Sequence, residues 1–199
     1  MSDSNPWQAG WWQAAQQLAS PNFGSRPAAT DISLAVIHSI SLPPGVYGGD
    51  SIQRLFTNRL DWDAHPYFQS IRGLEVSSHF LIRRGGELLQ FVSCDDRAWH
   101  AGASSWLGQA DCNNYAIGIE LEGLEGSCFE AIQYRTLTAL LSALRQHYPL
   151  RHVAGHEHIS PGRKIDPGSG FDWAVLHAQL AWPAAMFASV AGLKNANSA

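Results

Sequence analysis

Residues 115–123 read YAIGIELEG. Ile117, Ile119 and Leu121 alternate there with Gly118, Glu120 and Glu122. That period of two is the signature of a β-strand, with one set of side chains on each face. One face is apolar and the other carries two carboxylates. Further along, residues 130–148 (EAIQYRTLTALLSALRQHY) place Ile132, Leu137, Leu140, Leu141 and Leu144 on one stripe, as an amphipathic helix does. Pro149 ends that helix.

Working outward in both directions extends the pattern. LAVIH (34–38) is a short apolar run consistent with a buried strand. It opens onto SISLPPGVYGGD, a loop with two prolines and three glycines. Residues 51–60 space Ile52, Leu55 and Phe56 as a helix does, with Asp50 or Ser51 as N-cap. HFLIRRGGELLQFV (79–92) reads as two strands around Gly85-Gly86, a hairpin signal. RHVAGH (151–156) is one more short strand, and residues 171–186 form a C-terminal helix. The order strand, helix, hairpin, strand, helix, strand, helix implies an α/β fold with a central mixed sheet flanked by helices, in one domain. Residues 1–30 are expected to be a leader that wraps the domain, with SPNFGSRP irregular for its four turn formers. Residues 31–185 are the expected domain and 186–199 a flexible tail.

The chain has 199 residues, 45% hydrophobic and 15% charged, with net charge −4. That is enough for a real core. No run of Lys or Arg supplies a nucleic-acid footprint or a contact to an anionic membrane. Cys94, Cys112 and Cys128 are odd in number and form no CxxC pair, so reduced thiols are expected. The N-terminus lacks the basic and apolar regions of a secretory signal, and no apolar run approaches the ~20 residues of a spanning helix. A cytoplasmic protein without membrane or nucleic-acid partners follows as the expectation.

Nine histidines occur in this length. His65 precedes a proline, His147 sits in the last turn of a helix where a positive charge suits the dipole, and His177 lies in the C-terminal helix. Each reads as a surface or capping residue. His38 differs, because it closes an apolar strand and opens onto a Gly/Pro-rich loop, where sites are often built. His79 and His100 carry about the same weight. GHEHISPGRKIDPG (155–168) then concentrates two histidines, a glutamate, a lysine and an aspartate. A catalytic zinc needs three protein ligands and one open position. His38, His156 or His158, and Asp166 supply that set. Two neutral imidazoles and one carboxylate leave the ion a net charge near +1, so a water in the open position is strongly acidified, toward a pKa of ~7. Lys164 stands where it can meet an oxyanion without being a ligand. An extended segment would point His156 and His158 to the same side, so spacing does not choose between them. Glu120 or Glu122 can take a proton from the water if their strand lies beside LAVIH.

VIHSISLPPGVYGG, SSHFLIRRGGELLQFV, DRAWHAG, NNYAIGIELEG and GHEHISPGRKIDPG together resemble the AmpD-type amidases, in the same order along the chain. The resemblance runs from about residue 20 to 175. It implies a cytoplasmic, zinc-dependent anhydro-N-acetylmuramyl-L-alanine amidase of cell-wall recycling, with the fold shared by peptidoglycan-recognition proteins. It implies Zn2+ at His38, His156 and Asp166, with His158 a bystander. It implies Glu120 as the catalytic carboxylate rather than Glu122, with Lys164 beside it. Tyr67, Trp99 and Ser39 correspond to positions along the substrate groove. The implied partner is an anhydromuramyl-peptide substrate, and the implied state a monomer. Three departures stand out: Ser39 replaces the family's usual Asn, GQADCN (108–113) lacks an Arg that meets a peptide carboxylate, and HEHISP replaces HCDIAP.

Overall fold

A computed structural model describes residues 6–188. All seven residues of strand β11 (Ala116–Glu122) are buried, because the strand sits inside a six-stranded sheet. On one side it runs parallel to β5 (Leu34–Ile40), on the other parallel to β6 (Phe80–Ile82). The full order is β12-β5-β11-β6-β7-β3, where β12 is His152–Gly155, β7 is Leu88–Gln90 and β3 is Gln16–Gln17. β6 and β7 form the hairpin expected around Gly85-Gly86 and pair antiparallel. Gly86 takes the φ of +88° that the turn requires. The sheet is therefore mixed, as the order of elements implies.

The alternation within β11 sorts the two layers. Ile117, Ile119 and Leu121 join Ala35, Ile37, Phe80 and Ile82 in a core cluster beneath helix α3 (Ala131–His147) and helix α5 (Trp173–Leu180). Leu137, Leu140, Leu141 and Leu144 are the buried stripe of α3. Ile132, placed on that stripe by spacing, is only half-buried, and Gln133 is fully buried in the same turn. The reason is polar: Gln133 accepts from the Glu130 N–H at 2.9 Å and donates to the carbonyls of Glu122 and Ile82. It fastens the start of α3 to two strands. The opposite layer holds helices α1 (Ser51–Phe56) and α2 (Pro66–Ser70) over Leu81, Leu89 and Phe91.

Three sequence expectations change. Part of SPNFGSRP is regular: β4 (Phe23–Ser25) pairs antiparallel with β8 (Asp96–Ala98). The helix expected over 51–60 stops at Phe56, and Asn58 follows with a φ of +56°. The C-terminal helix ends at Leu180, capped by Ala181 in the left-handed region. The remaining short strands are β1 (Trp7–Gln8) with β2 (Trp11–Trp12), and β9 (Ser105–Trp106) with β10 (Gln109–Ala110). No helix among the described residues is long and apolar enough to cross a membrane. The free cysteines are buried at 94 and 112 and exposed at 128. Most of the tail at 186–199 lies outside the described residues.

Candidate metal centre and cavity

The register between β5 and β11 places Glu120 opposite His38. Residues paired in this way point to the same face, so the alternation that buries Ile119 beneath α3 sends Glu120 and His38 to the other layer together. Past the end of β12, the chain turns into the short helix α4 (His156–Ile159). His156 opens that helix, and Asp166 follows in the turn beyond it. The backbone ties this turn back: the Glu157 N–H donates to the Asp166 carbonyl at 2.8 Å.

Three ligating atoms converge. His38 Nδ1 lies 3.0 Å from His156 Nδ1, and each lies 3.1 Å from Asp166 Oδ2. All three residues are buried. Tetrahedral ligands about 2.0–2.1 Å from a zinc ion lie roughly 3.3 Å apart, within a few tenths of an ångström of these separations. Proton placement supports the same fit. His156 Nε2 faces the Ala101 carbonyl at 3.1 Å. A carbonyl only accepts, so Nε2 carries a hydrogen, and it is the Nδ1 of a neutral ring that can present a lone pair to a metal. Burial holds His38 down at about 4, partly offset by Asp166, so its ring is neutral at pH 7. Burial pushes the Asp166 carboxyl up, but His156 and His38 outweigh it and hold it below the ordinary carboxylate range. Two imidazole nitrogens and a carboxylate oxygen converge on one buried point. The donor set, its spacing and its charge all fit a divalent metal.

Around this centre lies a cavity of about 340 Å³, lined by His38, Ser39, Tyr67, Trp99, Glu120, Lys164 and others. His156 and Asp166 also line it, so the eight site residues that the family resemblance implies meet at one place. Glu120 Oε2 is buried without a hydrogen-bond partner among the described residues. Burial, then the Asp166 charge, pushes its carboxyl well above the usual range, and Lys164 pulls it back. Lys164 is exposed and its ammonium forms no ion pair among the described residues. The Ser39 hydroxyl is likewise buried and unpartnered.

Glu122 and His158 lie elsewhere. Glu122 accepts from the Gly48 N–H at 2.8 Å and the Arg84 N–H at 3.1 Å, with Arg83 Nε 3.5 Å away. It clamps the Pro/Gly-rich loop to the hairpin turn. His158 is in a helical turn rather than an extended segment, so its ring does not share a side with His156. Its Nδ1 accepts from the Gly155 N–H at 2.8 Å and its ring packs on Trp173. His65 caps α2 through a bond from the Tyr67 N–H, and His147 stacks on Trp7.

Two supporting residues carry no signal in the sequence. Asn113 Oδ1 accepts from the backbone N–H groups of both His100 and Ala101. Arg163 donates to the carbonyls of Ala101 and Ala103 and to Ser160 Oγ, at 2.6 to 2.7 Å. Both anchor the loop that follows Trp99. An Asn and an Arg in loops look like solvated residues until the fold shows which backbone they reach.

Residues 28–169 match the family model described as N-acetylmuramoyl-L-alanine amidase. The 1,6-anhydro-N-acetylmuramyl-L-alanine amidase AmpD of Citrobacter freundii is 48% identical over 171 residues, 85% of this chain and 91% of that protein. AmpD of Escherichia coli K12 is 47% identical over 169 residues, 84% and 92% of the two chains. The crystal structure of an AmpD selenomethionine derivative superposes with a TM-score of 0.85 at 47% identity, covering 87% of this chain and 98% of that one. The complex of E. coli AmiD with anhydro-N-acetylmuramic acid-L-Ala-D-gamma-Glu-L-Lys superposes with a TM-score of 0.54 at 28% identity, covering 78% and 60%. An Apis mellifera peptidoglycan-recognition protein, PGRP-SA, shares the fold at 15% identity and a TM-score of 0.54.

Proposed function

The chain belongs to the N-acetylmuramoyl-L-alanine amidase family, and on that premise we propose that it is a zinc-dependent amidase of cytoplasmic cell-wall recycling. Its substrate is an anhydromuramyl peptide, and the bond cut is the amide between the lactyl carbonyl of the sugar and L-alanine. The single observation that carries the reading is the convergence of His38 Nδ1, His156 Nδ1 and Asp166 Oδ2 beside an unpartnered buried carboxyl.

His38, His156 and Asp166 would hold the zinc ion, which would supply a Lewis acid and lower the pKa of a bound water toward ~7. Glu120 is the proton carrier. Its orphaned Oε2 has no internal bond to break, so it takes a proton from the attacking water without reorganisation and returns it to the departing alanine nitrogen. Lys164 keeps an unpaired ammonium at the cavity wall and meets the negative charge that develops on the carbonyl oxygen. Tyr67 and Trp99 offer flat apolar faces for the sugar and the first peptide residues. Ser39 offers a hydroxyl that has no partner among the described residues. The protein acts as a monomer, with residues 31–185 as the amidase domain.

Mass spectrometry of products from anhydromuramyl-tripeptide tests this directly. Metal-replete protein is expected to release free tripeptide and anhydro-sugar, and chelated protein neither. Release of any other pair of fragments, or equal release after chelation, overturns the reading.

A further inference from the structure

His38 binds through Nδ1 only if that atom is a bare lone pair, so the hydrogen of the neutral ring must sit on Nε2. A ligating histidine ordinarily donates that hydrogen to a carboxylate, a backbone carbonyl or water. Here the atom facing His38 Nε2, at 3.0 Å, is Nδ1 of His100. The two rings are nearly perpendicular, at 86°.

One hydrogen lies between those nitrogens. On His100 Nδ1, it would force the His38 hydrogen onto Nδ1, into the space shared with His156 and Asp166. On His38 Nε2, it frees Nδ1 for the metal. We propose that His100 is a positioning residue: its Nδ1 accepts the Nε2–H of His38 and so holds His38 in the tautomer that ligates. This rests on the zinc reading above.

With Nδ1 accepting, His100 carries its own hydrogen on Nε2, an atom buried with no partner among the described residues, a cost that this tautomer carries. The fold is shaped to admit the ring. A Cβ on Gly118 would lie 2.4 Å from His100 Cγ, so the central strand carries a glycine where this ring crosses it. Asn113 fixes the backbone of the ring from the other side, through bonds from the N–H groups of His100 and Ala101 at 3.1 and 2.9 Å.

The test compares His100→Leu, which has no acceptor, with His100→Asn, whose side-chain oxygen falls near the position of Nδ1. Zinc affinity is read by chelator competition, and the His38 tautomer by 15N imidazole shifts of the zinc-loaded protein. His100→Leu is expected to lose about 10- to 100-fold in zinc affinity, and His100→Asn to recover most of it. Zinc-loaded wild type is expected to show His38 protonated at Nε2 and His100 at Nε2. Wild-type affinity in His100→Leu, or equal loss in both variants with unchanged melting, overturns the proposal. So does a hydrogen on His100 Nδ1 in the zinc-loaded wild type, a reading that needs no variant. Wild type that binds no zinc would instead sink the metal reading itself.

Discussion

Glu120 and Glu122 are two residues apart on one face of one strand, yet they do opposite work. Glu122 spends both oxygens on backbone N–H groups, whereas Glu120 leaves Oε2 bare in the cavity. Burial first and Asp166 second push a carboxyl in that state well above the usual range, against Lys164. A divalent cation in the site would oppose that shift and favour the charged carboxylate. Glu120→Gln is therefore expected to lower kcat by about 10²- to 10⁴-fold while zinc content stays unchanged. The same variant has a stability signature in chelated protein. A carboxyl raised above its unfolded value near 4.5 stabilises the fold below that pH, and the contribution disappears as pH rises through the folded value. Wild type should thus melt progressively lower than Glu120→Gln between pH 5 and 8, in thermal scans of the two apo proteins. Parallel melting curves would remove the buried carboxyl from the account. At this scale the sequence is legible where alternation speaks: it puts both glutamates opposite the isoleucines. It is silent on which one is satisfied, because the Gly48 and Arg84 amides that decide the matter are distant along the chain.

Among the elements, β6 and β11 are joined by a side chain as well as by a ladder. The His79 N–H donates to the Gly118 carbonyl, and the Gly118 N–H donates to His79 Nδ1 at 2.9 Å. His79 Nε2 faces the Asp96 carbonyl and lies 3.1 Å from Arg26 Nη2. Protonating Nδ1 would cut the bond from Gly118 and place a second cation against Arg26. Burial, and then Arg26, accordingly hold the ring well below its ordinary value. A histidine depressed in the fold contributes stability that is complete above its unfolded value near 6.5 and lost as pH falls. Urea midpoints of wild type should drop from pH 7 to pH 5. His79→Ala should be weaker at pH 7 by about 1–3 kcal/mol, the cost of an unpaired buried amide, and should fall less over that interval. An equal slope in both proteins would show that His79 titrates normally. A histidine at the start of an apolar strand could be read from the sequence, but its role as a surrogate ladder partner could not. Strands of two or three residues are equally illegible: Gln16–Gln17 pairs with β7 through backbone alone, and two residues have no period to detect.

Across the whole molecule, the candidate ligands lie on two segments more than a hundred residues apart, at 38 and at 156–166. The strand signals at 34–38 and 151–156 predict that both segments belong to one sheet, and β5 and β12 do pair directly. That much of the site is a consequence of legible elements. The pairing order is not legible, because nothing in either strand names its neighbour. The same is true of the early chain, where Arg26 reaches the carbonyls of Cys94, Asn113, Asn114 and Ala116. Burial of part of its side chain lowers its guanidinium to about 10, and no composition statistic foretells that reach. The separation of the ligands has a thermodynamic consequence. An unfolded chain does not hold residues 38, 156 and 166 within 3.1 Å of one another, so a metal held there would bind the native state and its binding energy would add to folding. At a free zinc concentration about a thousand times Kd, linkage supplies about 4 kcal/mol, or roughly 8–16 °C in Tm for a chain of this size. Calorimetry of wild type with zinc and with chelator should show that gap, and Asp166→Ala should close most of it. The aspartate is the charged member of the set, and without it two neutral imidazoles face the ion alone. A gap unchanged in Asp166→Ala would place the stabilising metal somewhere other than the junction of β5 and β12.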